Sequence, residues 1–192
     1  MPKKPFVLAL LFLLPGPAHA GPPDHVSGRI VLDEVPELRA EVQQREKEFA
    51  RAKSDPGKAE GLAEARGRLA EAEGLPETAA AEWRKVIAHR QTALTDLERL
   101  LKAGRLCSGV ELIMQRGRLA EARYRLAEVE KDRPALAVEL PKVIAYWEAR
   151  LAAVRTLAKA GAIPPDEAEQ DEKALLKELR QARQRLDAVK RR

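Results

Sequence analysis

Apolar residues recur with heptad spacing along most of the chain. Leu112, Leu119 and Leu126 are seven residues apart. Because an α-helix has 3.6 residues per turn, this spacing places them along one narrow stripe of a helix. Three further series have the same spacing: Ile87, Leu94 and Leu101; Ile144, Leu151 and Ala158; Leu175, Ala182 and Val189. The pattern predicts long helices that pack through apolar seams.

The sequence also repeats itself at an offset of 57 residues. The matching segments are Val86-Ile87-Ala88 with Val143-Ile144-Ala145, Lys102-Ala103-Gly104 with Lys159-Ala160-Gly161, and Arg68-Leu69-Ala70-Glu71 with Arg125-Leu126-Ala127-Glu128. Near the C-terminus the offset becomes 60. Such a period is typical of repeated supersecondary units. We therefore divide residues 37–192 into about three copies, 37–74, 75–131 and 132–192.

Helix signals divide each copy into two helices. In the second copy, Pro76 suits a first helical turn and Gly104 suits a C-terminal cap. Ser108 with Glu111 has the spacing of a capping box. In the third copy, Gly161 ends a helix and the prolines that follow prevent its continuation. We expect an all-α fold of about three antiparallel helical hairpins, forming an elongated bundle or coiled coil.

The N-terminus differs from the rest. Lys3 and Lys4, an apolar run over residues 6–14 and the small-x-small pattern of residues 18–20 predict a signal peptide over residues 1–20. An uncleaved membrane anchor is the alternative. Residues 21–36 are predicted to form an extended tail. The chain is therefore expected to be exported, to the periplasm or outside the cell, with no stable membrane span after cleavage.

Composition supports helices and gives little sign of catalysis. Apolar residues make up 45% of the chain and charged residues 34%, but aromatic residues only 4%. This mixture is typical of long helices and coiled coils. The formal charge is +5, and +3 without the two lysines of the signal peptide. So small an excess of base does not favour nucleic acid as a partner.

Few residues are suited to chemistry. Outside the signal peptide the histidines are His25 and His89, and neither has the spacing of a metal pair. Helix capping accounts for Ser108. Glu121, Arg125 and Glu128 have the spacing of ion pairs on a solvated helix face. We expect no catalytic residue, no cofactor and no metal site, and hence no enzyme.

Two features of the sequence are candidates for contact with a partner. Tyr146 and Trp147 form the one aromatic pair, which fits core or interface packing, or a platform for a ligand. Cys107 is the single cysteine, so it is either buried or available for an intermolecular disulfide. The hairpin tips add Arg105, Leu106 and Ile163 as possible partner contacts.

The turns resemble a known family. The pattern Leu-x-x-x-Gly-x-[Leu/Ile] occurs as Leu100 to Leu106 and as Leu157 to Ile163, between helices rich in Ala, Leu, Glu and Arg. It resembles the α-helical hairpins of TolC-type outer-membrane efflux proteins and of periplasmic adaptor (membrane-fusion) proteins. In those adaptors an Arg, a Leu and a Ser of the tip dock on the channel. The Leu is present here as Leu100 and Leu157. The Arg position holds Asp96 and Ala153, and the Ser position holds Cys107 and Pro164.

The expected function is a non-enzymatic scaffold or protein-interaction module of the cell envelope. It would bind protein partners, or a second copy of itself, through coiled-coil faces. The resemblance implies one alternative, an accessory component of an envelope efflux or transport assembly. A periplasmic protein that binds a ligand or responds to metal stress is the other.

Overall fold

A computed structural model describes residues 34–53, 55–105 and 109–191. Across these ranges the chain is all-α and has no strand, which confirms the predicted fold class. The predicted signal peptide and most of the predicted tail lie outside these ranges. The helices are α1 (Val35–Arg51), α2 (Pro56–Ala72), α3 (Pro76–Lys102), α4 (Gly109–Glu130), α5 (Arg133–Lys159) and α6 (Pro165–Lys190).

The helices begin where the sequence signals indicate. The Asp55 carboxylate accepts hydrogen bonds from the backbone N–H groups of Gly57 and Lys58, at 2.8 and 3.4 Å. Asp132 does the same for Ala135 at 3.0 Å. These side chains satisfy N–H groups that have no partner within the first helical turn. Both caps fix a sharp change of chain direction between consecutive helices.

The helix ends use a left-handed residue. Gly104 and Gly161 have φ values of 66° and 67°, as a glycine C-cap requires. The residue after each glycine bonds a carbonyl oxygen five residues earlier, at 3.0 Å after Gly104 and 2.9 Å after Gly161. At the end of α4 the same position holds Lys131, with a φ of 56°. Its Cβ makes this conformation unfavourable, so α4 ends in a strained cap.

The extensive helix–helix contacts all join helices that are consecutive in the chain. In α3 and α4, Arg84 pairs with Glu130 and Glu98 pairs with Arg116. Residue numbers therefore rise along one helix as they fall along its neighbour, so the two helices run antiparallel. Ion pairs show the same antiparallel order in two other pairs of helices. Arg39–Glu73 and Lys58–Glu48 join α1 to α2, and Arg183–Glu148 and Arg155–Glu172 join α5 to α6.

The core is divided into clusters that each span two or three helices. Around α1 and α2 the cluster is small. Around α2, α3 and α4 it consists mainly of alanines packed around Trp83 and Val86. Around α4, α5 and α6 it holds larger side chains, including Leu140, Tyr146 and Trp147. The members of the small cluster are Val42, Leu62 and Ala65, with Phe49 and Leu69 beside them.

In α4 the buried surface is wider than the predicted seam. Leu119 is buried, but Leu112 and Leu126 are only partly buried. The most buried side chains are instead Ala122 and Tyr124. The reason is that α4 packs on α3 along one side and on α5 along another. A heptad seam describes a helix with one partner, whereas α4 must bury two faces.

Helix α5 is continuous through Pro141. Proline has no N–H, so the carbonyl oxygen of Ala137 lacks its usual helical partner. Both residues are exposed, and water can satisfy that oxygen. Of the six helices, none is both long enough and apolar enough to cross a membrane within the part of the chain that the structure describes.

Candidate functional site

The contact residues predicted from the sequence have different environments. Arg105 is exposed and lies just after α3. Ile163, Tyr146 and Trp147 are buried within the core that α4, α5 and α6 share. They therefore stabilise the fold and are not available on its surface. Leu106 and Cys107 lie outside the described residues.

Tyr146 packs against α4 at a position that has no side chain. A Cβ built on Gly117 of α4 would lie 2.1 Å from Cδ2 of Tyr146. Only glycine permits so close an approach. The Arg150 guanidinium lies 5.8 Å from the centroid of the Tyr146 ring, within the range of a cation–π interaction. Core packing is thus the role of Tyr146, and it was one of the alternatives that the sequence left open.

A buried arginine joins three helices. Arg90 of α3 is 6% exposed. Its Nε donates to Glu60 at 2.8 Å and its Nη2 to Glu64 at 2.7 Å, both on α2. Its Nη1 donates to the backbone carbonyl of Arg118 on α4 at 2.6 Å. Because each nitrogen of this guanidinium has an acceptor, the charge is well compensated for its burial.

A second group of charges crosses from α1 to α6, and we call it the charge ladder. It consists of Glu41 of α1, Arg68 and Glu71 of α2, Arg125 and Glu128 of α4, and Arg185 of α6. Its signs alternate along the path between helices. It is the candidate functional site because it brings charged groups of four helices together and holds two carboxylates, Glu71 and Glu128, whose pKa values are raised by burial.

The first half of the ladder lies on α1 and α2. Arg68 donates to Glu41 at 2.7 Å. Glu71 accepts a hydrogen bond from the indole N–H of Trp83 and interacts electrostatically with Arg125 and Arg68. Burial raises the pKa of Glu71, and these partners oppose the increase without cancelling it. Glu71 is therefore easier to protonate than an exposed glutamate.

The second half joins α4 to α6. Arg185 Nη1 lies 2.8 Å from one carboxylate oxygen of Glu128 and also donates to the Tyr124 hydroxyl. Arg125 Nη1 lies 3.7 Å from the other oxygen of Glu128. Arg125 is buried, and burial alone would lower its pKa. The carboxylates of Glu71 and Glu128 outweigh that effect, so the pKa of Arg125 is raised.

Glu128 titrates near neutral pH. Burial raises its pKa from 4.5 to about 7, because the charged form loses hydration. Arg125 lowers the value, whereas the nearby carboxylate of Glu71 raises it further. For Arg185, burial lowers the pKa and Glu71 raises it in part. The carboxylates of Glu71 and Glu128 thus interact with two guanidinium groups in a partly desolvated environment. Of the two, Glu128 is the one whose pKa is raised to about 7.

These positions correct one expectation from the sequence. Arg125 and Glu128 were expected on a solvated face, but Arg125 is 8% exposed and Glu128 binds Arg185 across helices. Helical spacing by itself cannot separate an exposed ion pair from a buried one. The available signal was the segment Arg68-Leu69-Ala70-Glu71, which recurs at an offset of 57 as Arg125-Leu126-Ala127-Glu128. Both copies contribute their Arg and Glu to the ladder.

Another charged pair recurs at the same offset. Glu82 of α3 and Glu139 of α5 are each 8% exposed. In each, one oxygen accepts from the lysine three residues later, Lys85 or Lys142, at 2.6 and 2.8 Å. The second oxygen of each carboxylate is buried and has no hydrogen-bond partner. Both pairs lie near the start of their helices and next to a fully buried valine.

Metal binding, which one hypothesis from the sequence requires, needs a cluster of ligating side chains. Within the described ranges, no three His, Cys, Asp or Glu side chains gather in a way that could hold a metal ion. Comparison with models of protein families, with curated proteins and with solved structures finds no match.

Proposed function

We propose that this protein is an exported, non-enzymatic scaffold of the cell envelope that binds protein partners. In this proposal the six helices act as three antiparallel hairpins, the first shorter than the other two, stacked into an elongated array. The faces of the array bind helices of a partner or of a second copy. Export rests on the predicted signal peptide, and binding rests on the packing described below.

The observation that carries this proposal is the packing of consecutive helices. Since extensive contacts join only neighbours in the chain, the helices form a row and do not close on themselves. A row has a larger surface for its volume than a compact bundle. Stacked helical pairs of this kind are typical of proteins that present long surfaces to partners. Charged residues inside the row are used to join its own helices.

The end of the α3–α4 hairpin that carries its turn offers a surface for contact. Leu100 and Leu101, at the end of α3, are each 37% exposed, and Ile113, near the start of α4, is 54% exposed. Because α3 and α4 run antiparallel, these residues lie at the same end of the pair. Arg105 is exposed beside them. Apolar side chains flanked by charge are common at sites of protein association.

The experiment is crosslinking in cells with the tagged chain, followed by mass spectrometry. A variant with Leu101→Ser and Ile113→Ser should lose its captured partners while its helical content and melting temperature stay unchanged. Val138→Ser is the matched control, because Val138 is equally exposed but lies at the start of α5. Capture of the same partners by all three proteins would refute a role for this end.

The second candidate is an accessory component of an efflux or transport assembly. It is favoured by the exposure of Leu100, which stands at the position of the tip leucine, one of the three docking residues that the family resemblance implies. Leu157, at the other tip, is only partly buried but packs against the core. Recovery of channel or pump subunits that depends on Leu100 would support this candidate. Recovery of the chain alone would favour a scaffold that assembles with itself.

A further inference from the structure

The α3–α4 and α5–α6 hairpins end in segments of opposite charge. Residues 98–116, which connect the end of α3 to the start of α4, hold four bases and two acids, a formal charge of +2. Residues 155–173, the same segment at the offset of 57, hold three bases and five acids, a formal charge of −2. We call the first segment the basic tip and the second the acidic tip.

The chain places both tips at the same end of the row. Helix α4 runs away from the basic tip for 22 residues, and α5 returns over 27 residues to the acidic tip. At a rise of 1.5 Å per residue, the two helices are about 33 and 40 Å long. Because their lengths are similar and they run antiparallel, the two tips lie side by side.

Charged side chains at both tips are exposed. Lys102 and Arg105 of the basic tip form no ion pair within the part of the chain that the structure describes. The same holds for Glu167 and Glu169 of the acidic tip. These charges are therefore not used to join the helices of one copy, and a partner of the opposite charge can reach them.

Apolar side chains are exposed beside these charges. In the basic tip, Leu101 is 37% exposed and Ile113 is 54% exposed. In the acidic tip, Pro164 and Pro165 are exposed after the end of α5. Each tip thus presents apolar surface next to charge of one sign, and the two tips are complementary to each other.

We propose that the protein forms a two-fold dimer in which the basic tip of each copy binds the acidic tip of the other. This inference rests on the proposed function, since it takes the exposed end of the α3–α4 hairpin as a contact surface and identifies its occupant as a second copy. The two-fold axis passes between the tips, at right angles to the helices and to the row. Rotation about this axis reverses the order of the tips, so unlike tips meet at two identical contacts.

Charge selects this arrangement over the other end-to-end pairing. If the axis ran along the row, like tips would meet, with +2 against +2 and −2 against −2. Like charges brought together oppose association, whereas complementary charges steer it and fix its register. In the proposed dimer, Leu101 and Ile113 of one copy lie against the exposed prolines of the other, and this burial of apolar surface stabilises both contacts.

Sedimentation velocity of the purified native chain, over a range of concentrations, tests the dimer. Because only two tips of each copy meet, we expect a weak dimer with a Kd of about 1–100 μM. The basic-tip variant is Lys102→Glu with Arg105→Glu, and the acidic-tip variant is Glu167→Lys with Glu169→Lys. Each variant alone has like charges at both contacts, so its Kd should rise about tenfold or more.

An equimolar mixture of the two variants is the decisive measurement. A dimer with one chain of each variant has opposite charges at both contacts, so the mixture should dimerise with a Kd within about threefold of the native value. The charge-matched control is Arg123→Glu with Arg180→Glu, which replaces exposed arginines of α4 and α6 away from the tips. It should dimerise as the native chain does. Circular dichroism melts check that every variant is folded.

The proposal is overturned if the native chain stays monomeric up to about 1 mM. It is also overturned if either variant alone dimerises like the native chain, or if the mixture does not dimerise. A monomeric chain that still captures other proteins in cells through Leu101 and Ile113 would refute the dimer and leave the proposed function standing. A monomeric chain that binds vesicles of anionic phospholipid would assign the basic tip to a membrane surface and likewise refute the dimer.

Discussion

The α2–α3 and α4–α5 interfaces differ at positions 57 residues apart: the first has buried ion pairs where the second has uncharged residues. In the first, Arg90 binds Glu60 and a second glutamate of α2. In the second, Trp147 stands at the offset of Arg90, and Gly117 stands at the offset of Glu60. There Tyr146 and Trp147 are both buried in the core, and Gly117 leaves the space that the Tyr146 ring needs.

The comparison shows that similar pairs of helices can be held together by different forces. A buried guanidinium must be matched by carboxylates, because an uncompensated charge loses its hydration. A buried aromatic ring needs mainly a complementary shape on the facing helix, which Gly117 gives to Tyr146. The ionic interface gains little net stability from its charges, whereas the aromatic one gains from the full apolar area. We therefore expect the two interfaces to respond differently to substitution.

Replacing Trp147 with Ala should have the largest effect. The substitution leaves a large cavity in the core of α4, α5 and α6, and we expect it to lower the free energy of unfolding by about 3–5 kcal/mol. Urea denaturation followed by circular dichroism measures it. Leu176→Ala, on an exposed part of α6, is the control and should change stability by less than about 0.5 kcal/mol. A loss below about 1 kcal/mol for Trp147→Ala would contradict the comparison.

Replacing Arg90 with Ala should cost less. Glu60 and Glu64 lose their partner, but their side chains keep 25% and 35% exposure, so water can hydrate them. We expect a loss of about 2–3 kcal/mol, below that of Trp147→Ala. The same denaturation measurement applies. Arg84→Ala, which breaks an exposed pair with Glu130, should cost about 1 kcal/mol or less. A loss for Arg90→Ala larger than for Trp147→Ala would show that the ionic interface is the stronger one.

Adding one methyl group at a glycine of each interface tests how closely its helices approach each other. Gly117→Ala places a Cβ 2.1 to 2.8 Å from Tyr146 atoms, so the helices must move apart. We expect a loss of about 2 kcal/mol, even though Ala favours a helix by about 1 kcal/mol. At Gly67 the nearest atoms, of Trp83, are 3.2 Å away. Gly67→Ala should therefore be nearly neutral in thermal melts, and equal losses at both sites would refute this account.

The smallest effect is expected outside both interfaces, at the strained cap of α4. Lys131 adopts a φ of 56°, which glycine accepts without a steric cost. Lys131→Gly should raise the melting temperature, with a gain of about 0.5–1 kcal/mol. Gly104→Ala is the reverse test at an equivalent cap and should destabilise the chain. A loss of stability on Lys131→Gly would mean that its side chain makes a contact that outweighs the strain.

Local signals predicted the ends of the helices well. Gly104 and Gly161 cap helices as expected, and Asp55 and Asp132 cap the helices that follow them. Such features depend on a few neighbouring residues and on backbone geometry, so they can be seen in the sequence. The spacing also indicated the pairing of Arg125 with Glu128 within α4. The groups of other helices that act on Glu128 could not be seen there: they lie on α2 and α6, and spacing along one helix carries no information about other helices.

The sequence by itself determined that this chain is helical, where most helices begin and end, and that short segments recur at an offset of 57 residues. These properties depend on capping residues, apolar spacing and helix propensity, which act within a few turns. The tertiary structure decided which charged residues are buried, which aromatic residues are in the core and which carboxylate has its pKa near 7. These depend on desolvation and on the charges of other helices, and both arise only when distant segments pack together.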